Sequence, residues 1–226
     1  MQATANVASY RLFQLISPSL PIGGFTYSQG LEYAVEAGWV TNRDTMEQWL
    51  NYMANSSVAT LELPIIDRLY LALEQGELDQ IEYWSDFLYA SRETSELRAE
   101  EKQRGLALFT LLKRLEIDVS VMDSIQSHPN QLLGFCIAAR HWKISLEDLK
   151  QGYLWSWLEN LVTAGVKLVP LGQTDGQLAL LNVTQRFPAV INQARKIEEW
   201  MIGSFTPSLS IASSLHETQY TRLFRS

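Results

Sequence analysis

An all-α fold is what this sequence predicts, as a single-domain bundle of about eight to ten helices over residues 1–202 followed by a poorly structured tail over 203–226. Three observations lead there. Only 12 glycines and 7 prolines punctuate the 226 residues, so long stretches run without a break. Leu, Ala, Glu and Gln dominate the middle of the chain and favour helix over strand. Apolar residues recur at the period of one helix face.

The elements follow in chain order. Val7 to Ile16 carries Leu12, Phe13 and Ile16 on one side and stops at Ser17-Pro18, because proline disfavours helical geometry in its predecessor. Ser17 to Phe25 holds two prolines and two glycines and must be an irregular connection. Tyr27 to Gly38 reads as the next helix. Thr41-Asn42-Arg43-Asp44 has capping-box spacing and opens a helix with Met46, Trp49, Leu50 and Met53. Pro64 then gives either a kink or a new helix from Leu63 to Gln75.

Glu77 to Tyr89 and Thr94 to Ile117 come next, and a polar gap from Ser124 to Asn130 precedes Leu132 to Trp142. Ser145-Leu146-Glu147-Asp148 repeats the capping arrangement and starts a long helix bounded by Pro170. Leu171 to Leu181 mixes turn residues with a proline suited to a first helical position, and reads as helix. Ala189 to Ile202 is amphipathic, with Val190, Ile191, Ala194, Ile197 and Met201 on one side. From Gly203 onward no sustained helical stripe is visible. Leu209, Ile211, Leu215, Tyr220, Leu223 and Phe224 nonetheless persist there, leaving terminal disorder and docking on a partner as alternatives.

Composition narrows the function. With 46% hydrophobic and 19% charged residues the chain can bury one sizeable core. A net charge of −7 and a pI near 5.0 argue against nucleic acid or an anionic membrane as partner, since either needs a concentrated basic face. One cysteine, Cys136, has no disulfide partner, and Met1 to Gln14 lacks the pattern of a signal peptide; both suggest the cytoplasm. Tyr153 to Val169 is the most apolar segment, but Glu159, Asn160 and Lys167 interrupt it, so it reads as a buried helix.

No phosphate-binding loop, zinc-protease helix, nucleophile elbow or paired-cysteine metal motif is present. His128, His141 and His216 share no ligand spacing with one another or with Cys136, so no catalytic, cofactor or metal residue is assigned. The most informative helix is Thr94 to Ile117. Its apolar stripe of Leu108, Leu111, Leu112 and Leu115 projects backward onto Gly105, Arg104, Glu101, Arg98 and Leu97, so the face becomes charged. Solvated ion pairs such as Glu100 with Arg104 are the first reading, and a polar lining or partner surface the second.

Several blocks together resemble the UreF family of urease accessory proteins. They are Ser17-Pro18-Ser19-Leu20-Pro21-Ile22-Gly23-Gly24-Phe25-Thr26-Tyr27-Ser28-Gln29-Gly30-Leu31-Glu32, then Arg92-Glu93 with Glu96-Leu97-Arg98 and Gly105, then Pro170-Leu171-Gly172-Gln173 with Gly176-Gln177. The last is His216-Glu217-Thr218-Gln219-Tyr220-Thr221-Arg222-Leu223-Phe224-Arg225-Ser226. One departure is Lys167, where relatives often carry arginine.

The resemblance implies an all-α, homodimeric, non-catalytic scaffold that bridges a UreG-type GTPase and a UreD/UreH-type accessory protein and presents nickel to apo-urease. Nickel and GTP would act through those partners, with no cofactor bound directly. The partner-binding residues it implies are Pro18, Pro21, Gly23, Gly24, Tyr27 and Glu32 near the start, and Glu93, Glu96, Arg98 and Glu101 on the charged helix. Gly172, Gln173 and Gln177 would lie near a nickel route. His216, Glu217, Tyr220, Arg222, Leu223, Phe224 and Arg225 would bind the UreD/UreH-type protein and order on doing so. The competing class is an independent helical enzyme that buries a small ligand and uses Cys136 with Glu159 or Tyr153.

Overall fold

The structure, a computed structural model, describes residues 7–204 and 206–226; the first six residues of the N-terminal stretch read for a signal peptide lie outside it. All regular structure among the described residues is helical. The helices are α1 (Val7–Leu15), α2 (Leu31–Glu36), α3 (Arg43–Met53), α4 (Leu63–Gln75), α5 (Leu78–Ala90) and α6 (Ser95–Arg114). They continue with α7 (Gln131–His141), α8 (Leu146–Leu168), α9 (Gln173–Thr184), α10 (Phe187–Ala194) and α11 (Pro207–His216). The core runs between α4, α7 and α8, where Leu63, Ile66, Leu69, Phe135, Leu154 and Leu158 are all fully buried.

Local chemistry sets most boundaries. Ser145 accepts from the Asp148 N–H at 3.1 Å to start α8. The capping box of α3 sits one residue later than expected: Asn42 accepts from Thr45 N at 3.0 Å, and Thr45 Oγ1 receives Asn42 N at 3.1 Å. α2 is shorter than Tyr27 to Gly38, because Gln29 and Gly30 take left-handed conformations, φ 49° and 78°. A Cβ on Gly30 would lie 3.1 Å from that of Ala212, so the glycine also lets α11 come close. α10 ends at Ala194 rather than Ile202, and Met201, expected on its buried side, is exposed in a 3-10 turn.

At Pro64 the second reading holds, since α4 runs from Leu63 to Gln75, but this helix continues directly from the one before it. Ala54–Glu62 is a π-helix that joins α3 to α4 in one rod, with Leu63 N bonded to Val58 O. Pro64 has no N–H to give the carbonyl four residues back. That carbonyl, Thr60 O, accepts the Gly203 N–H instead at 3.0 Å, while Ser56 O accepts the Thr206 hydroxyl at 3.2 Å. The rod therefore holds the linker that carries the last helix.

That helix, α11, is the main addition to the expected bundle. Its buried positions Leu209, Ala212, Ser213 and His216 keep helical spacing, but two of the four are polar, so hydrophobic patterning missed the stripe. Beyond it Glu217–Ser226 has turns and bends only, the poorly structured end that was expected.

Candidate functional site

Three clusters of polar side chains meet along the first turns of α6. Thr94 caps this helix by accepting from Leu97 N at 3.2 Å, and the same hydroxyl meets Ser213 of α11 at 2.7 Å. The charged face is interior. Glu100 is only 4% exposed and Glu101 only 7%, so the solvated reading of this face is corrected.

The innermost cluster is built on Arg92. Its Nη1 donates to Glu62 Oε1 at 2.7 Å, and its Nη2 and Nε donate to Glu101 Oε2 at 2.8 and 3.0 Å. The other Glu101 oxygen accepts the Gln131 N–H at 3.2 Å at the start of α7. Burial alone would lower the guanidinium's proton affinity, but the Glu101 and Glu62 carboxylates more than offset that and hold its pKa above the ordinary value. Arg98, expected on a partner surface, donates to the Arg92 carbonyl at 2.6 Å. Glu101 and Arg98 are thus used inside the chain.

The second cluster centres on Glu100, which accepts from Arg104 at 2.7 Å, Gln29 at 2.9 Å and Ser226 Oγ at 2.9 Å. Gln29 in turn accepts from the Trp157 indole at 3.1 Å. Tyr27 donates to Gln103 at 2.8 Å, and burial followed by the Glu100 charge raises its phenol pKa.

The third cluster seats the strap, residues 217–226. Glu32 of α2 accepts Leu223 N at 2.6 Å through Oε1 and Phe224 N at 2.9 Å through Oε2. His216 is fully buried, with Nε2 3.0 Å from Glu32 Oε2 and Nδ1 2.7 Å from Glu96 Oε2. Its ring donates to one carboxylate as a neutral tautomer and to both as an imidazolium. Arg222 reaches Glu96 Oε1 at 2.5 Å, and Glu217 accepts from Ser95 Oγ at 2.6 Å and Glu96 N at 3.1 Å. Those bonds, the Ser95 hydroxyl foremost, lower the Glu217 pKa. Two main-chain bonds complete the seat: Arg225 N to Thr26 O at 2.9 Å and Ser28 N to Ser226 O at 2.7 Å.

Tyr27, Glu32, Glu96, His216, Glu217, Arg222, Leu223, Phe224 and Arg225 are therefore brought together on one face, and Tyr220 stands on the strap's outer side. Glu93 lies beside them and accepts from the Ser210 hydroxyl. Pro18 and Pro21 are exposed on the loop before, while Gly23 takes φ 72° and Gly24 is buried. Gly172, Gln173 and Gln177 belong elsewhere: they open α9 and make no hydrogen bond or ion pair to α6 or the strap. Ser28, Gln29, Glu62, Arg92, Glu100 and Gln103 were missed as site residues. The backward projection of the α6 stripe was the signal for Glu100 and its neighbours. Gln29 stands in the first family-like block, whereas nothing local marks Glu62.

Cys136, the nucleophile of the enzyme alternative, is buried on α7 with Sγ 3.7 Å from the Ile66 carbonyl oxygen, and burial raises its thiol pKa. A thiol held protonated in this way is a core residue rather than a nucleophile. Among the described residues no group of three or more His, Cys, Asp and Glu is placed to hold a metal ion, and no helix is long and apolar enough to cross a membrane.

The UreF family model matches residues 40–184. A urease accessory protein UreF from Alcanivorax borkumensis is 49% identical over 228 residues, covering 98% of this chain and 99% of the relative. One from Pseudomonas putida strain W619 is 47% identical over 222 residues with the same coverage. One from Alkalilimnicola ehrlichii is 43% identical over 228 residues, covering 100% of this chain and 99% of the relative.

Proposed function

Because the chain belongs to the UreF family of urease accessory proteins, we propose that it is a non-catalytic scaffold bridging a UreG-type GTPase and a UreD/UreH-type accessory protein. The complex so formed inserts nickel into apo-urease in the cytoplasm. Nickel and nucleotide are handled by the partners, and contact with the GTPase is where this chain would regulate GTP hydrolysis. Exposed Glu93 and the prolines of the 17–25 loop are its candidate contacts for the GTPase, and the Pro170 to Gln177 segment borders the proposed nickel route.

The observation that supports this reading best is the two-sided strap. Its polar groups turn inward onto Glu32, Glu96 and Glu100, whereas Tyr220 is 103% and Leu223 72% exposed. Ile211 and Leu215 of α11 are exposed as well. Leu223, whose amide is fixed by Glu32, and the α11 side chains are apolar groups held out on a fixed backbone, which suits a protein partner because little further entropy is lost when they dock. Replacing Tyr220 and Leu223 together by aspartate is expected to weaken binding to the UreD/UreH-type protein about 10-fold or more. Co-elution from a sizing column, with the GTPase then added, measures it. Unchanged assembly would remove the strap from the interface, and a wild-type chain that binds neither partner would overturn the scaffold reading.

A second surface, apart from the strap, supports a homodimer. A groove of about 830 Å³ opens between α1, α8 and α10, lined by Leu12, Ile16, Trp155, Phe187, Pro188 and Ile191. At its edge α1 exposes Tyr10 and Phe13, and the charges on its rim, Glu147 and Arg195, already pair with each other at 2.6 Å. An apolar slot with exposed aromatic side chains beside it and a paired rim charge suits a two-fold interface, in which each chain offers the same patch to the other. Trp155→Asp is expected to turn a dimer into a monomer in analytical ultracentrifugation, shifting the dissociation constant about 100-fold or more. A variant with an undisturbed dimer would place the interface elsewhere.

A further inference from the structure

The strap is held as a peptide ligand is held. Of the bonds anchoring residues 222–226, five involve the main chain: Leu223 N and Phe224 N on the Glu32 carboxylate, Arg225 N on Thr26 O, and Ser226 O from both Ser28 N and the Ser28 hydroxyl. The bonds to Thr26 O and Ser28 N join its end to the main chain of the segment before α2, where Thr26 closes a 3-10 turn. Side chains then supply selectivity. Phe224 fills a slot where it is 7% exposed, with Lys167 Nζ 5.9 Å from its ring centroid. Arg222 pairs with Glu96, Arg225 reaches Gln103 at 3.2 Å, and Ser226 Oγ reaches Glu100.

Between this anchored end and α11 the chain is barely attached. Thr218, Tyr220 and Thr221 are exposed, and the bonds of Thr218 and Gln219 are short-range, to Leu215 O and His216 O at the end of α11 and to Thr221 O. The receptor groups, in contrast, stand on separate rigid supports. Glu32 lies on α2, Glu96, Glu100 and Gln103 lie on α6, and Thr26 and Ser28 lie in the loop before α2. Glu100 also bonds Arg104 and Gln29, neither of which belongs to the strap.

We propose that this seat is a peptide-binding site in its own right, occupied in cis by a tethered ligand, and that it accepts the same sequence from a second copy of the chain. The recognised class is a short extended segment with an arginine, an aromatic residue two positions later and free backbone amides to meet a carboxylate. Tethering supplies a millimolar effective concentration, so the cis strap normally wins and an incoming segment binds when the strap lifts. The inference does not depend on the scaffold reading, since it concerns only this chain and its own strap.

The test uses the full chain with its own strap disabled by Arg222→Glu and Phe224→Glu, which set a carboxylate against Glu96 and another into the aromatic slot. A fluorescently labelled peptide of residues 217–226 is titrated onto it and read by anisotropy. Saturable binding is expected, weakened 10-fold or more by the further change Glu32→Gln, absent with a scrambled peptide, and at least 10-fold weaker on the wild-type chain. No saturable binding to a chain that retains its helical circular dichroism overturns the proposal, as does indifference to Glu32→Gln. Should the double variant not fold, hydrogen exchange on the wild-type chain decides. The Leu223 and Phe224 amides must exchange through a local opening much faster than the α8 core, and exchange at the global unfolding rate overturns the proposal.

Discussion

Replacing Arg92 with alanine is expected to destabilise the protein by about 4 kcal/mol, because it strands two carboxylates in the interior. Glu62 and Glu101 both depend on this guanidinium, and among the described residues neither has another cation within salt-bridge distance. Surface ion pairs contribute little because water screens them, but here the side chains of Glu62 and Glu101 are 7% and 8% exposed. Urea unfolding followed by circular dichroism gives the difference, and the melting temperature should fall by about 10 °C in a chain of this length.

A companion variant separates lost pairing from lost packing. Arg92→Met combined with Glu62→Gln and Glu101→Gln removes all three charges while keeping similar volume, and should recover most of the loss. An Arg92→Ala chain as stable as wild type would mean that the cluster is hydrated and contributes little. A triple variant as unstable as the single one would assign the loss to packing.

Gly105→Ala is the second large effect, at about 3 kcal/mol of destabilisation from overpacking. A Cβ there would stand 2.2 Å from the Pro129 carbonyl oxygen and 2.7 Å from the Asn130 Cα. Both obstacles are backbone, so no side chain can swing aside. The only relief is to part α6 from the 129–130 segment, which pulls Glu101 away from the Gln131 amide and disturbs the Asn130 cap of α7, where Asn130 accepts from Leu133 N at 2.8 Å. Gly203→Ala is the control: a Cβ there meets nothing within 4 Å, and its effect should stay within about 0.5 kcal/mol. Equal stability of the two variants would show that the α6 contact yields easily.

The sequence by itself determined the helical class and most element positions, for local reasons. Ser145 and Pro170 bound α8 because a cap and a missing N–H act within one turn, and Trp157 and Trp155 fall on buried and part-exposed sides because the helical period places them there. The likeness of both ends of the chain to the UreF family was legible in short motifs. The charge on the α6 face was legible too, but its burial was not, since a carboxylate enters a core only with partners. For Glu101 those partners are Arg92 from the α5–α6 turn and Gln131 from α7, neither of which α6 itself encodes.

The strap shows the same division. Its apolar anchors and Arg222 stand in the sequence, yet whether residues 217–226 hang free or lie down depends on Glu32, some 190 positions earlier, meeting two of its amides. α11 escaped patterning because Ser213 and His216 occupy half of its buried stripe, and a polar residue counts as interior only once Thr94, Glu32 and Glu96 are placed against it. Periodicity reports which side of a helix is apolar. Only the tertiary structure decides where polar groups find each other, because a buried hydrogen bond is a property of two distant residues and not of either one.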